Sequence, residues 1–270
     1  MTELGERLGA GRAAEVFAYG EGRVIKLLRE GGSVQRLKLE AAAQRAAHAV
    51  GLPVPEVFAI ERVDDRDGLV MALVEGLDGL TAVDRKPWRV WSIGRQVGRL
   101  HRDLGRSQAP PELAQLRETL RRDIASSEWM PESARPRLIA LLDSLPDGPA
   151  ICHQDFHPAN VIESPGGPMV IDFSEAQAGD PLADFAKSLV ILEAGSLPPG
   201  ASRSEQVLAK FGRRIMTAAY RSGYLAAGPI DQQALRRWRP VLVAQRLMQG
   251  IEMERVQLLR MLSRSFRALQ

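Results

Sequence analysis

The chain has 270 residues, 45% hydrophobic and 26% charged, a globular composition with apolar side chains enough for one large or two modest domains. Lys plus Arg number 36 against 33 Asp plus Glu, and a net charge of +3 spread over this length argues against a nucleic-acid partner. Cys152 is the only cysteine, which excludes an internal disulfide and suits a reducing compartment. The start, MTELGERLGAGRAAE, lacks a basic segment followed by an apolar run, and no stretch approaches the roughly 20 apolar residues that span a bilayer. A cytoplasmic protein without a membrane partner is expected.

In chain order, GAGRAAEVF comes first, at 9–17. Gly9 and Gly11 would let the backbone turn sharply and approach a phosphate, although Ala14 stands where a full G-x-G-x-x-G has its third glycine, and an ordinary turn competes. β-prone runs at 14–19 and 23–28 flank Gly20-Glu21-Gly22 and predict a hairpin. The Ala-rich run 34–50 predicts a helix that stops at Gly51, ahead of Pro53 and Pro55. EVFAIERV and GLVMALVE predict a second strand pair with turn residues at 64–68, and a hinge is expected near 71–77.

Beyond Gly76 helical patterns dominate. Helices are predicted over 87–104, where Pro87 leads a stripe of Val90, Ile93, Val97 and Leu100, and over 111–127 and 132–145. GPMVIDF predicts a strand at 168–173, and further helices cover 181–194, 203–226, 231–248 and 250–268. The layout is α+β: a small β-rich lobe with one helix, residues 1–75, then a larger, mostly helical lobe, residues 76–270. Arginines at 236, 237, 239, 246, 255, 260, 264 and 267 are interleaved with apolar residues and read as a solvated helix face, with a phosphate-binding surface as the alternative.

Chemistry gathers in CHQDFHPANVI and VIDF. Asp155, Asn160 and Asp172 are three oxygen-bearing side chains within eighteen positions, the donor type that Mg²⁺ takes alongside substrate phosphates. A carboxylate after MVI is costly to bury unless paired or metal-bound. A zinc site at Cys152, His153 and His157 lacks a second ligand pair at usual spacing, and Cys152 continues an apolar run as a small hydrophobe. Alone, Lys26 in RVIKLL reads as solvent-facing and Glu40 as a solvated helix residue; a named partner would change both readings.

Glycine loop, strand lysine, helix glutamate, H-x-D-x-x-x-x-N and I-D-F follow one another as in the protein-kinase-like phosphotransferases. GRAAEVF, GRLHRDL, CHQDFHPANVI and VIDFSEAQAGDPLADFA resemble the aminoglycoside phosphotransferase and choline kinase group, over about residues 9–190. The resemblance implies a two-lobed protein kinase-like fold. It makes Asp155 the base or orienter of an acceptor hydroxyl, with His153 ordering its loop. It assigns Asn160 and Asp172 to Mg²⁺, and Lys26 to the nucleotide phosphates with Glu40 as partner. Gly9 and Gly11 would cover those phosphates, Met71 and Leu73 would belong to an adenine-binding hinge, and Asp184 would brace the Asp155 loop.

Departures narrow the expectation. Ser174 and Gln154 replace a glycine and an arginine of protein kinases, and only eleven residues separate Asp172 from Asp184, too few for a long activation loop. The expected activity is transfer of a phosphoryl group from ATP, or GTP, to a small-molecule hydroxyl on a sugar, amino alcohol or aminoglycoside-like acceptor. A nucleotide-binding scaffold is the alternative. Acidic residues at 175, 193, 205, 231, 252 and 254, with Trp129, Trp238, Tyr220 and Tyr224, are candidate acceptor linings, against a core role for the aromatics. Oligomeric state is left open.

Overall fold

A computed structural model describes residues 3–11, 13–195 and 202–269, without the side chains of 203–206. The first sheet is antiparallel throughout: β1 (Leu4–Ala10), β2 (Ala14–Tyr19), β3 (Arg23–Leu28), β4 (Val57–Val63) and β5 (Arg66–Ala72), in spatial order β1-β2-β3-β5-β4. β2 and β3 coincide with the predicted hairpin, and Gly20 and Gly22 both take positive φ at its turn. β1 has no counterpart among the predicted strands. LGERLGA is an edge strand exposed over most of its length, so no apolar alternation marks it.

The turn between β4 and β5 is tighter than the predicted 64–68. Asp64 and Asp65 alone carry the positive φ, and Gly68 sits inside β5, opposite Leu27 and Glu61. A Cβ there would come within 2.7 Å of the Ile25 and Leu27 side chains, so Gly68 serves packing.

The helix α1 (Val34–Ala49) starts where the Ser33 side chain accepts the Gln35 N–H. Leu37 and Ala41 pack on Val57 and Leu69 of the sheet. Ala43 and Ala47, with Leu52 and Val54, instead join the larger core beyond, and the Pro53 carbonyl accepts the Val170 N–H.

After 73–76 come β6 (Leu77–Asp78), α2 (Gly79–Arg85), a 3-10 turn (Pro87–Arg89), α3 (Val90–Leu104), α4 (Leu116–Ser126) and α5 (Arg135–Asp143). Then follow β7 (Ala150–Cys152), β8 (Val161–Ser164), β9 (Gly167–Val170) and β10 (Gln177–Gly179). Four helices close the chain: α6 (Pro181–Ala194), α7 (Arg203–Leu225), α8 (Gln232–Met248) and α9 (Glu252–Arg267). β6, β8 and β9 make a small antiparallel sheet, and β7 pairs with β10. The predicted strand 168–173 ends early because Asp172 turns into positive φ. No helix among the described residues is long and apolar enough to cross a membrane.

Trp238, Tyr220 and Tyr224 are fully buried core residues, so their acceptor-lining alternative gives way to packing. α3 and α7 cross at very short range through glycines. A Cβ at Gly98 would overlap the Tyr220 carbonyl, and one at Gly223 would overlap that of Arg95. Both obstacles are backbone and cannot rotate aside. Gly98→Ala is therefore expected to destabilise the fold by about 1–3 kcal/mol or more. A thermal melt should show a Tm at least about 3 °C lower, and an unchanged Tm would refute the close crossing.

Candidate active site

β7 delivers the chain into the loop 153–160, and α6 begins close beneath it. The Asp180 side chain caps α6 by accepting the Leu182 N–H (2.9 Å) and is itself anchored by Trp238 Nε1 (2.7 Å). The next turn then presents Asp184, buried, to the loop. Its carboxylate accepts the N–H groups of His153 (2.7 Å) and Gln154 (2.8 Å), the Gln154 side-chain amide (3.2 Å) and His101 Nε2 (2.8 Å). Burial pushes this carboxyl up, but His101, His153 and the Gln154 N–H more than reverse it and hold it below the usual range.

Two residues of the site are held in left-handed backbone although neither is glycine: Gln154 and Asp172, each at φ 64. Such conformations cost energy and persist where surrounding bonds enforce them. His153 ties the two together. Its Nδ1 accepts the Asp155 N–H (3.3 Å), leaving Nε2 to donate to the Ile171 carbonyl (3.1 Å), one residue before Asp172. Burial lowers its pKa, so the ring is neutral and positions the loop.

The Asp155 carboxylate is partly exposed, with Oδ2 3.4 Å from His157 Nε2 and 3.3 Å from Asn160 Nδ2. Burial raises its pKa, yet the His157 hydrogen bond and charge, with smaller contributions from His153 and Arg246, bring it below the ordinary value. It is an ionised acceptor at neutral pH. Asn160 spends Nδ2 on the Asp155 carbonyl as well (2.8 Å), which turns Oδ1 into the amide atom left for a cation.

From the first sheet, Lys26 Nζ reaches Glu40 Oε1 and Asp172 Oδ1, each at 2.7 Å. Neither Lys26 nor Glu40 is the solvated residue it would be alone. Burial works against the ammonium, but Glu40 and Asp172 outweigh it and raise its pKa. Asp172 is pushed up by burial and pulled down further by Lys26 and the Ser174 hydroxyl, ending lowered to about 2. Gly11, Lys26, Glu40, Asp155 and Asp172 line one cleft of about 660 Å³, with Gln154, His157 and Arg246.

The remaining candidate residues stand apart from that lining. Gly9 pairs with Val16 inside β1, and neither Gly9 nor Gly11 takes a positive φ. The Gly11 N–H is spent on the Ala14 carbonyl (2.8 Å); what the loop offers is open space, since a Cβ at Gly9 would touch nothing. Met71 lies within β5 opposite both Val24 and Val57, and the Leu73 N–H donates to the Gly22 carbonyl (2.9 Å). Hydrogen bonding to adenine at Leu73 would thus fall to its carbonyl.

Two site residues escaped the sequence reading. Arg246, placed there among solvated arginines, turns inward, forks onto buried Glu254 (2.7 and 2.8 Å) and lines the cleft beside Gln245. Its partner lies eight positions on, across the α8–α9 turn, a pairing no helical period announces. Arg236, Arg255, Arg260, Arg264 and Arg267 are exposed, as a solvated face requires. Among the acidic candidates, Glu175 lines the cleft paired with Arg36 (2.7 Å), Glu193 pairs with Arg239 and Asp231 caps α8; the side chain at Glu205 lies outside the described residues. Cys152 is buried, and burial pushes its thiol well up, against any nucleophilic role.

Lys187, the second, lies beneath the site and not in the cleft lining. One turn beyond Asp184, it is fully buried and its Nζ has no hydrogen-bond partner. Burial, then the Arg246 charge, push it down to about 7. Unfolded, it titrates near about 10.4, so between about 7 and 10 the unfolded chain holds more protons and stability rises with pH. Lys187→Met should flatten that slope and raise the denaturation midpoint at pH 7. Denaturant melts at several pH values check this; an undiminished slope would refute it.

The sequence matches the family model described as "Phosphotransferase enzyme family" over residues 5–245. No curated protein sequence matches it. Among solved structures, a thermostable mutant of aminoglycoside phosphotransferase APH(4)-Ia aligns with TM-score 0.66 at 18% identity, covering 98% of this chain and 94% of that one. Aminoglycoside-3'-phosphotransferase of type VIII gives 0.59 at 21% identity, covering 90% and 93%. A choline/ethanolamine kinase family protein from Mesorhizobium loti gives 0.58 at 16% identity, covering 99% and 88%. With a family match across nearly its whole length and these neighbours for its fold, the chain belongs to the phosphotransferase enzyme family and has a two-lobed, α+β protein kinase-like fold.

Proposed function

We propose that the protein transfers the γ-phosphoryl group of ATP, or of GTP, to a hydroxyl of a small molecule. The observation that carries this reading is the junction at Lys26. One ammonium joins Glu40 to Asp172 in the lining of the cleft that also holds an ionised Asp155. Two similar structures support a nucleotide donor: APH(2'')-Ib bound to ADP, and a thermostable mutant of APH(4)-Ia in ternary complex with AMP-PNP and hygromycin B.

Phosphoryl transfer depends on positioning and on neutralising charge at the transferred oxygens. Lys26, already set by Glu40, supplies a fixed positive charge for the nucleotide phosphates. Asp155 accepts the hydrogen bond of the acceptor hydroxyl, aligns the oxygen and takes its proton as the new bond forms. His153, Asn160 and Asp184 keep that carboxylate in place. In this reading residues 1–75 form the nucleotide lobe and residues 76–270 the catalytic and acceptor lobe. An ATP-dependent reaction and a lone reduced cysteine support a cytoplasmic setting.

The donor set fits Mg²⁺. Asp172 is ionised, Asn160 has Oδ1 to give, and one or two such hard oxygens beside phosphates are what this ion takes. Asp172 and Asn160 would hold it, and when bound it would supply charge neutralisation at the phosphates.

Coupled ADP-release assays against a panel of hydroxyl acceptors test the proposal. Asp172→Ala should abolish turnover and Mg²⁺-dependent nucleotide binding, and unchanged turnover in it would sink the assignment. Asp155→Asn should lower kcat by about 10²–10⁴ while nucleotide affinity holds. Tight ATP binding without turnover on any acceptor would favour the scaffold reading.

A further inference from the structure

A second cavity, of about 830 Å³, is lined by residues of α2, α6 and α7 together with His157 and Pro158 of the 153–160 loop. Val83, Val90, Ile191, Leu192 and Met216 supply much of its wall. Leu80, Leu208 and Phe211, large apolar side chains 45%, 71% and 61% exposed, line it too. Exposed apolar residues scattered singly need no explanation, but several facing one hollow mark a binding surface.

Charge in this cavity is sparse, and of its two arginines one is paired with a carboxylate. Asp84 is the one carboxylate in its lining among the described residues. Arg246 is paired with Glu254, and the Arg213 guanidinium donates to the Gly195 carbonyl. His157 and Arg246 line both this cavity and the nucleotide cleft, and His157 Nε2 is 3.4 Å from Asp155 Oδ2. The two spaces therefore meet at His157 and Arg246, and His157 adjoins the carboxylate that would receive the acceptor proton.

Resting on the phosphotransferase reading above, we propose that this cavity is the acceptor site and that it takes an uncharged, largely apolar alcohol. A polycationic acceptor would give up its hydration here and find, among the described residues, only Asp84 in the lining and Asp155 beside it, with the like charge of Arg213 facing it, which is unfavourable. An apolar body gains by leaving water, and the volume is that of a site for a drug-sized molecule. In the step itself, the acceptor oxygen forms a bond to the γ-phosphorus. The bond from that phosphorus to the β–γ bridging oxygen breaks, its electron pair leaves with ADP, and the hydroxyl proton passes to Asp155.

The test presents the full-length protein, with ATP and Mg²⁺, to 1-decanol and a steroid alcohol, and in parallel to glucose, choline and kanamycin. Phosphate ester and ADP are both measured. Binding of the neutral fluorophore N-phenyl-1-naphthylamine, and its displacement by the alcohols, gives a readout independent of turnover. The expected result is ester formation on the apolar alcohols and displacement of the fluorophore. Phe211→Glu should raise their KM about tenfold without altering the Kd for ATP, and Phe211→Leu should restore it. Circular dichroism checks that both variants fold. Transfer confined to glucose, choline or kanamycin would overturn the apolar assignment and leave the phosphotransferase reading intact, as would failure of the fluorophore to bind. ATP binding without transfer to any acceptor would overturn the phosphotransferase reading itself.

Discussion

The Asp184 carboxylate is buried, and its bonds to the His153 and Gln154 N–H groups, the Gln154 amide and His101 hold the site in shape. A buried carboxylate is tolerated only when its lone pairs are satisfied, and here the satisfying donors belong to the loop that must be ordered. The requirement runs both ways. Without the loop Asp184 would be an unsolvated charge, and without Asp184 the loop would leave adjacent N–H groups unpaired in the interior. Asp180 sets the start of α6 and Trp238 anchors Asp180, so the helical core fixes where that carboxylate sits.

From this fixed point the geometry propagates outward. Gln154 can be held in left-handed backbone because its N–H and its side chain are both tied to Asp184. His153, next to it, reaches the strand end ahead of Asp172, the second strained residue. Lys26 closes the circuit from the other sheet by bonding Asp172 and Glu40 together. Strain at two non-glycine residues marks the two motifs that carry the oxygen donors, in keeping with strain gathering at functional sites.

Much of this was legible in the sequence, for identifiable reasons. β2 and β3 are short β-prone runs between glycine turns, and α6 has an Asp-Pro start, so their bounds are found to the residue. Lys26, Glu40, Asp155 and Asp172 could be named because their order along the chain is informative even where each alone is not. β1 was not legible, since an exposed edge strand has no buried face to pattern. Arg246 was not legible either: a charge that turns inward looks, in sequence, like one that turns outward. Lys187 is the same problem in reverse, a lysine whose burial is decided by its neighbours on other helices. At Gly9 and Gly11 the residue type suggested a sharp turn, and the chain does turn there from β1 into β2, without positive φ at either glycine.

The glycine crossing of α3 and α7 has a consequence for how this protein can change. Around Gly98 and Gly223 the two helices are clamped backbone to backbone, so α7 is anchored along its second half. Its first half, with Leu208 and Phe211, extends over the apolar cavity as a cantilever does from a wall. Substitutions at the overhanging end can reshape what the cavity admits without loading the anchor, the Asp184 contacts or the Lys26 junction. In the proposed reading, acceptor preference is set at the overhanging end of this helix and catalytic geometry away from it.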